Sequence, residues 1–188
     1  DKLDALVAQG TRFVRWGAVQ PDQPGISIGC DNAHGGRLVG EHLLALSLNG
    51  QQVMLRTMPV SHTDGDLVVW FKAQNVLHMG DLFFADRFPF IDLNSGGSVA
   101  GYIANTKTIL SQVNDTTKII PGHGDLMDKA GLQRFLTMME QTLAEVQAMK
   151  AQGLSADQAV TKGLSAQWKK WSWNFITEEK WIRTLYQA

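Results

Sequence analysis

Asn49-Gly50 stands between two runs in which apolar residues alternate: Leu44, Leu46 and Leu48 before it, Val53 and Leu55 after it. Both positions of a two-residue hairpin turn must tolerate positive φ, so this pair between alternating runs predicts a β-hairpin. Two further runs, Asp66–Phe71 and Asn75–Met79, read as strands. Only Lys72-Ala73-Gln74 separates them, a linker short enough to make them antiparallel neighbours. A chain that starts this way must pair a sheet through local turns and cover at least one of its faces.

The C-terminal half supplies the cover. Ser98 can cap a helix to about Val113, with Val99, Tyr102, Ile103, Ile109, Leu110 and Val113 as its apolar stripe. Lys118–Ile120 reads as a short strand closed by Pro121-Gly122. Asp128 can cap a helix to about Gln152, with Leu132, Phe135, Leu136, Met139, Leu143 and Val146 along one side. Ser155 with Gln158 forms a capping box, and Thr177 can cap a last helix ending near Tyr186. Residues 2–9 read as the end of a helix stopped by Gly10. Residues 11–40, rich in glycine and without sustained period, read as loop with one or two short strands. The order is strands, then strand and helix mixed, then helices. No linker divides the 188 residues, so the expectation is a single α/β (α+β) domain over 1–188.

Composition narrows the function. Apolar residues make up 44% and charged residues 19%, a balance that excludes a disordered chain. Lys and Arg number 17 against 18 Asp and Glu, for a formal net charge of −1. Without a positive field, nucleic acid is not the expected partner. No apolar run approaches the roughly 18 residues of a membrane-spanning helix. The single cysteine, Cys30, excludes an internal disulfide and any multi-cysteine zinc site. A metal would have to use histidines and carboxylates.

Three short segments offer those groups. Ser61-His62-Thr63-Asp64-Gly65-Asp66 lies between the hairpin and the next strand, punctuated by Pro59 and Gly65, and presents His62 on a loop. In His78-Met79-Gly80-Asp81, a carboxylate follows an apolar strand and precedes Leu82-Phe83-Phe84, a costly position unless it is paired or holds a cation. In Pro121-Gly122-His123-Gly124, two glycines leave the imidazole unobstructed. Each has a plainer reading taken alone: a surface histidine, a turn cap, turn chemistry. Together, at strand ends, they point to a His/Asp/His metal site at one edge of a sheet.

In this order the segments resemble the second half of the metallo-β-lactamase superfamily, an αββα sandwich with its metals at one edge. The resemblance covers about residues 43–188, leaving 1–42 poorly readable. Pro89-Phe90-Ile91-Asp92, Ser95-Gly96-Gly97 and the Trp-rich tail are similar to a subgroup of generic hydrolases there. It implies that His62 ligates a first metal, that Asp81 bridges two and serves in catalysis, and that His123 ligates the second. Zinc, one or two ions, is the implied cofactor, and a small molecule the implied substrate. An Asp at the bridging position is closer to the glyoxalase-II-like and lactonase-like branches than to the lactamases with a Cys there.

The superfamily's first-half motif, His-x-His-x-Asp-His, is absent from all 188 residues. Asp31-Asn32-Ala33-His34-Gly35-Gly36 has a faint likeness to its end, with the wrong spacing. His42 and His78 read as structural or exposed. The chain opens at Asp1 with no leader, so the expectation is a fold incomplete on its N-terminal side. Half a sandwich would expose an apolar sheet face, which predicts a homo-oligomer or association with the missing segment. Similar hydrolases are often exported, which points to a periplasmic or secreted protein.

Two functions from different classes are compatible with these features: a zinc-dependent hydrolase attacking an ester, lactone, thioester or amide carbonyl, or a non-catalytic binding or scaffold protein that kept the fold. A third, an interaction surface built from Trp168, Trp171, Trp173 and Trp181 among Lys169, Lys170, Lys180 and Arg183, has a simpler rival: tryptophans packing terminal helices with lysines outside.

Overall fold

A computed structural model describes residues 14–16, 26–28, 44–48, 51–58 and 60–188. The helix end expected at residues 2–9, the Asn49-Gly50 turn, Cys30, His34 and His42 lie outside the described residues.

Two short strands, β1 (Val14–Trp16) and β2 (Ile26–Ile28), pair in parallel. The main sheet has five strands in the order β3 (Leu44–Leu48), β4 (Gln51–Thr57), β5 (Leu67–Phe71), β6 (Val76–Phe84) and β7 (Lys118–His123). Consecutive strands from β3 to β6 pair antiparallel, as their short connections require, with Leu48 opposite Gln51 across the first hairpin. β7 joins β6 in parallel. A parallel partner needs a crossover, and α1 (Val99–Leu110) lies in that connection.

Register puts one row of side chains across four strands. Met54 faces Trp70, Trp70 faces Leu77, and Leu77 faces Ile119. Trp70, Leu77 and Ile119 are buried in one core with Phe135 and Met139 of α2 (Lys129–Ala151) and Tyr102 and Ile109 of α1. Val53, Leu55 and Leu67 are buried too, but apart from that cluster. After α2 come α3 (Ala156–Lys162), a 3-10 turn at Ala166–Trp171, and α4 (Glu178–Gln187). Ser98, Asp128, Ser155 and Thr177 cap their helices as expected, each side-chain oxygen accepting a first-turn N–H. Trp168, Trp171 and Trp181 pack inward. Trp181 is fully buried, stacks on Phe88 at 5.7 Å and donates its indole N–H to Thr142 Oγ1 at 3.0 Å.

Three boundaries differ from those expected, and each difference has a structural cause. α1 stops at Leu110, where the last turn tightens: Gln112 N–H reaches only three residues back, to Ile109 O at 2.9 Å. β6 runs through Asp81 to Phe84 instead of ending at Met79, because β7 pairs alongside it. β7 continues through Pro121 and Gly122 to His123. Proline is tolerated there because β7 is the last strand of the sheet and the register shifts around it, from His78 to Gly80 and again from Gly80 to Phe84. No described helix is long and apolar enough to cross a membrane.

Candidate functional site

The loop at residues 60–66 leaves β4 and carries His62. Its backbone is strapped to the segment before α1. Asp92 N–H donates to His62 O at 2.9 Å, Ser98 N–H to Ser61 O at 2.9 Å, and Asp64 N–H to Ser95 O at 3.0 Å. Asn105 of α1 donates to the buried Ser61 hydroxyl at 2.6 Å. Such close approach explains two glycines: a β-carbon at Gly97 would overlap His62 O, and one at Gly101 would overlap Val60 O. Val60 sits at φ 59°, a strained value for a β-branched residue, at the entrance to the loop. The Ser95-Gly96-Gly97 motif, noted in the sequence without a role, is the cradle of this loop.

Asp66 organises the loop from inside. Its carboxylate accepts from Thr63 N–H at 2.8 Å and Thr63 Oγ1–H at 3.3 Å, and lies 3.4 Å from His62 Nδ1. That leaves His62 Nε2 pointing at Asp81 Oδ2, 3.9 Å away. Burial alone would lower the His62 pKa. The Asp66 hydrogen bond and the charges of Asp66, Asp81 and Asp92 outweigh it, and the net shift is upward from 6.5.

Asp81 follows a kink in β6. Gly80 takes φ 53°, a left-handed value, and its N–H donates to His78 Nδ1 at 3.1 Å. His78 thus braces the bend. Burial, opposed by Asp81, lowers its pKa and keeps that ring nitrogen an acceptor. The buried Tyr102 hydroxyl donates to Asp81 O at 2.8 Å. Burial first, then the charges of Asp66 and Asp81, hold the phenol well above its ordinary range, so it stays a donor. On β7, Gly122 leaves room for the carboxylate: a β-carbon there would overlap Asp81 Oδ1.

His123 ends β7 opposite Phe84. Its carbonyl accepts from Ala85 N–H at 2.8 Å, and its ring stacks on Phe84 at 4.6 Å and 15°. Its Nε2 lies 3.3 Å from Asp81 Oδ1. The two imidazoles therefore meet opposite oxygens of one carboxylate.

Nitrogen and carboxylate oxygen are zinc donors, and the donor chemistry of these residues fits that ion. Among the described residues, however, no three His, Cys, Asp or Glu side chains form a group ready to hold a metal. Nothing in the linear sequence gives Tyr102 or Phe84 a place in the site, or shows that Gly122 clears room for Asp81 and that Asp92–Gly97 cradles the loop; a glycine set against a carboxylate in the neighbouring strand leaves no local signal.

No protein-family model and no curated protein matches the chain. Solved structures do. The stereoselective inverting sec-alkylsulfatase Pisa1 from Pseudomonas sp. is 13% identical with TM-score 0.57, covering 88% of this chain and 26% of its own. A double mutant of the same sulfatase gives TM-score 0.59 at 13% identity, with the same 88% and 26% coverage. A metallo-beta-lactamase from Pontibacter korlensis is 16% identical with TM-score 0.46, covering 73% of this chain and 61% of its own. The chain thus spans about a quarter of the alkylsulfatase and under two thirds of the lactamase. What is shared with the sulfatase is architecture. The described residues carry part of the metallo-β-lactamase fold, in which strands and helices of a mixed α/β domain follow one another as they do here.

Proposed function

We propose that this chain forms part of a zinc-dependent hydrolase that acts on an ester, lactone, thioester or amide carbonyl. One observation carries the reading: His62 Nε2 and His123 Nε2 face opposite oxygens of Asp81. A carboxylate set between two imidazoles completes a set of three donors. His62, Asp81 and His123 would hold one ion between them. When bound, zinc supplies Lewis acidity, acidifying water and polarising a carbonyl. The chain's own groups do the rest. Asp66 fixes the His62 ring from its far side, a common support for a ligand histidine. Asp81, its side chain 41% exposed, can take a proton from a nucleophilic water and pass it on.

The alternative is a binding or scaffold protein that retained the fold. It is favoured by one feature: these 188 residues hold no first-half motif, so the candidate ligands within them are His62, Asp81 and His123. Zinc titration by calorimetry, followed by turnover assays, separates the two. The panel is a carboxylic ester, a lactone, a β-lactam and, given the sulfatase likeness, a secondary alkyl sulfate. Binding near or below one zinc per chain, lost in Asp81→Asn, with turnover of one class supports the hydrolase. Zinc bound without turnover supports the scaffold. Two tightly held ions per chain would contradict a ligand set of three.

A further inference from the structure

The polar side of this site continues into a closed circuit of rings. His62 meets Phe90 edge-on, with centroids 5.6 Å apart. Phe90 meets Phe175 at 5.5 Å, Phe175 meets Trp173 at 5.6 Å, and Trp173 meets His123 at 5.6 Å. Asp81 closes the circuit between the two imidazoles. Half of the circuit is a carboxylate with two imidazoles; the other half is three apolar rings.

The three rings come from two distant segments. Phe90 lies between β6 and the His62 cradle, while Trp173 and Phe175 lie on the turn before α4. Trp173 is held by its indole N–H, which donates to Phe88 O at 2.9 Å, and by the Arg87 guanidinium 5.2 Å from its ring. Lys180 holds Phe175, its Nζ donating to Phe175 O at 2.9 Å and lying 5.3 Å from the ring. Trp173 packs on the core only in part: it is half-buried beside His123, whereas Trp168, Trp171 and Trp181 lie within the core. Phe175 is 51% exposed, a large apolar surface at the end of the ring chain. Surface phenylalanines are ordinary when scattered; one continuous with two site histidines is not.

We propose that Phe90, Trp173 and Phe175 form the subsite for an apolar alkyl or aryl substituent carried next to the reacting bond. The substrate is then an amphiphile, with its polar bond at Asp81 and its apolar group on the rings. The proposal rests on the hydrolase reading and narrows it. Rings that meet edge-to-face or tilted, two of them braced by cations, lose little freedom on binding, which favours affinity.

The test uses neutral, unreactive probes on the full chain in chelator, so that it does not depend on zinc. N-butyl-, N-hexyl- and N-octylacetamide are titrated by calorimetry. A fully buried methylene changes affinity about fourfold, and a half-open wall should give about twofold per methylene. Phe175→Ala, at an exposed position, should leave folding intact and weaken octylacetamide about five- to tenfold. Phe175→Leu should restore most of it. A flat series, or an unaltered slope in Phe175→Ala, overturns the subsite. Zinc binding measured separately on the same preparations, with the chelator removed, keeps the two claims apart. A chain-length series without zinc binding sinks the hydrolase reading alone; zinc binding with a flat series sinks the subsite alone.

Discussion

The two histidines flanking Asp81 are held by different physics. The His62 side chain is 16% exposed and held by charge and hydrogen bonds: Asp66 on Nδ1, a strapped loop, and three carboxylates that together raise its pKa. The His123 side chain is 42% exposed and held by shape: a backbone bond from Ala85 and a stacked Phe84. One imidazole is pre-oriented by polar partners, the other by packing. The difference teaches that either a satisfied carboxylate or a buried ring can orient an imidazole, and that the two fail differently under mutation.

The effects that strike stability and zinc binding together should come from the glycines on which both arrangements depend. Gly97→Ala forces a β-carbon into His62 O, and Gly122→Ala forces one into Asp81 Oδ1. Each overlap must be relieved by backbone movement. We expect about 2–4 kcal/mol of destabilisation by urea melting, together with loss of zinc binding. If both variants keep native stability and zinc affinity, the close approaches are not needed.

Next come the supports themselves. Asp66→Asn should weaken zinc about 10- to 100-fold through loss of ring orientation, while costing about 1–3 kcal/mol of stability. Phe84→Ala should reverse the balance, because Phe84 is 1% exposed: about 3–5 kcal/mol of stability lost, with the residual folded protein still binding zinc. Equal loss of zinc affinity in the two variants would erase the distinction between the two sides.

The smallest effect is one of pH. Asp92, whose backbone N–H holds His62 O, has its carboxyl pKa lowered below 3.8, chiefly by the Ser95 hydroxyl, which donates at 2.8 Å. A carboxyl with a depressed folded pKa contributes stability above its unfolded value and loses it as pH falls through the folded one. Ser95→Ala should therefore be less stable than the parent at pH 7, with the gap closing below about pH 4. A gap that stays constant down to pH 2 would mean that Ser95 does not act through Asp92.

How much of this was readable in the sequence depended on range. The strand runs and the caps at Ser98, Asp128, Ser155 and Thr177 were legible because each rests on residues within a few positions of one another. The extension of β6 past Gly80, and of β7 through Pro121, was not, because parallel pairing between strands 34 or more residues apart decides it. His62, Asp81 and His123 stood out by local context, and the structure brings both imidazoles to the carboxylate. Phe90 and Trp173 stand in the sequence only as parts of a short motif and a Trp-rich tail, and Phe175 carries no mark, since their shared meaning lies in a circuit closed across the fold.

The most direct test of the site is imidazole NMR of the uniformly 15N-labelled full chain during zinc addition. If His62 and His123 ligate, their Nε2 resonances shift together toward values of metal-bound imidazole, and His78, whose Nδ1 accepts from Gly80, stays put. Resonances of His62 and His123 that ignore the metal, or a response confined to other histidines, would contradict it.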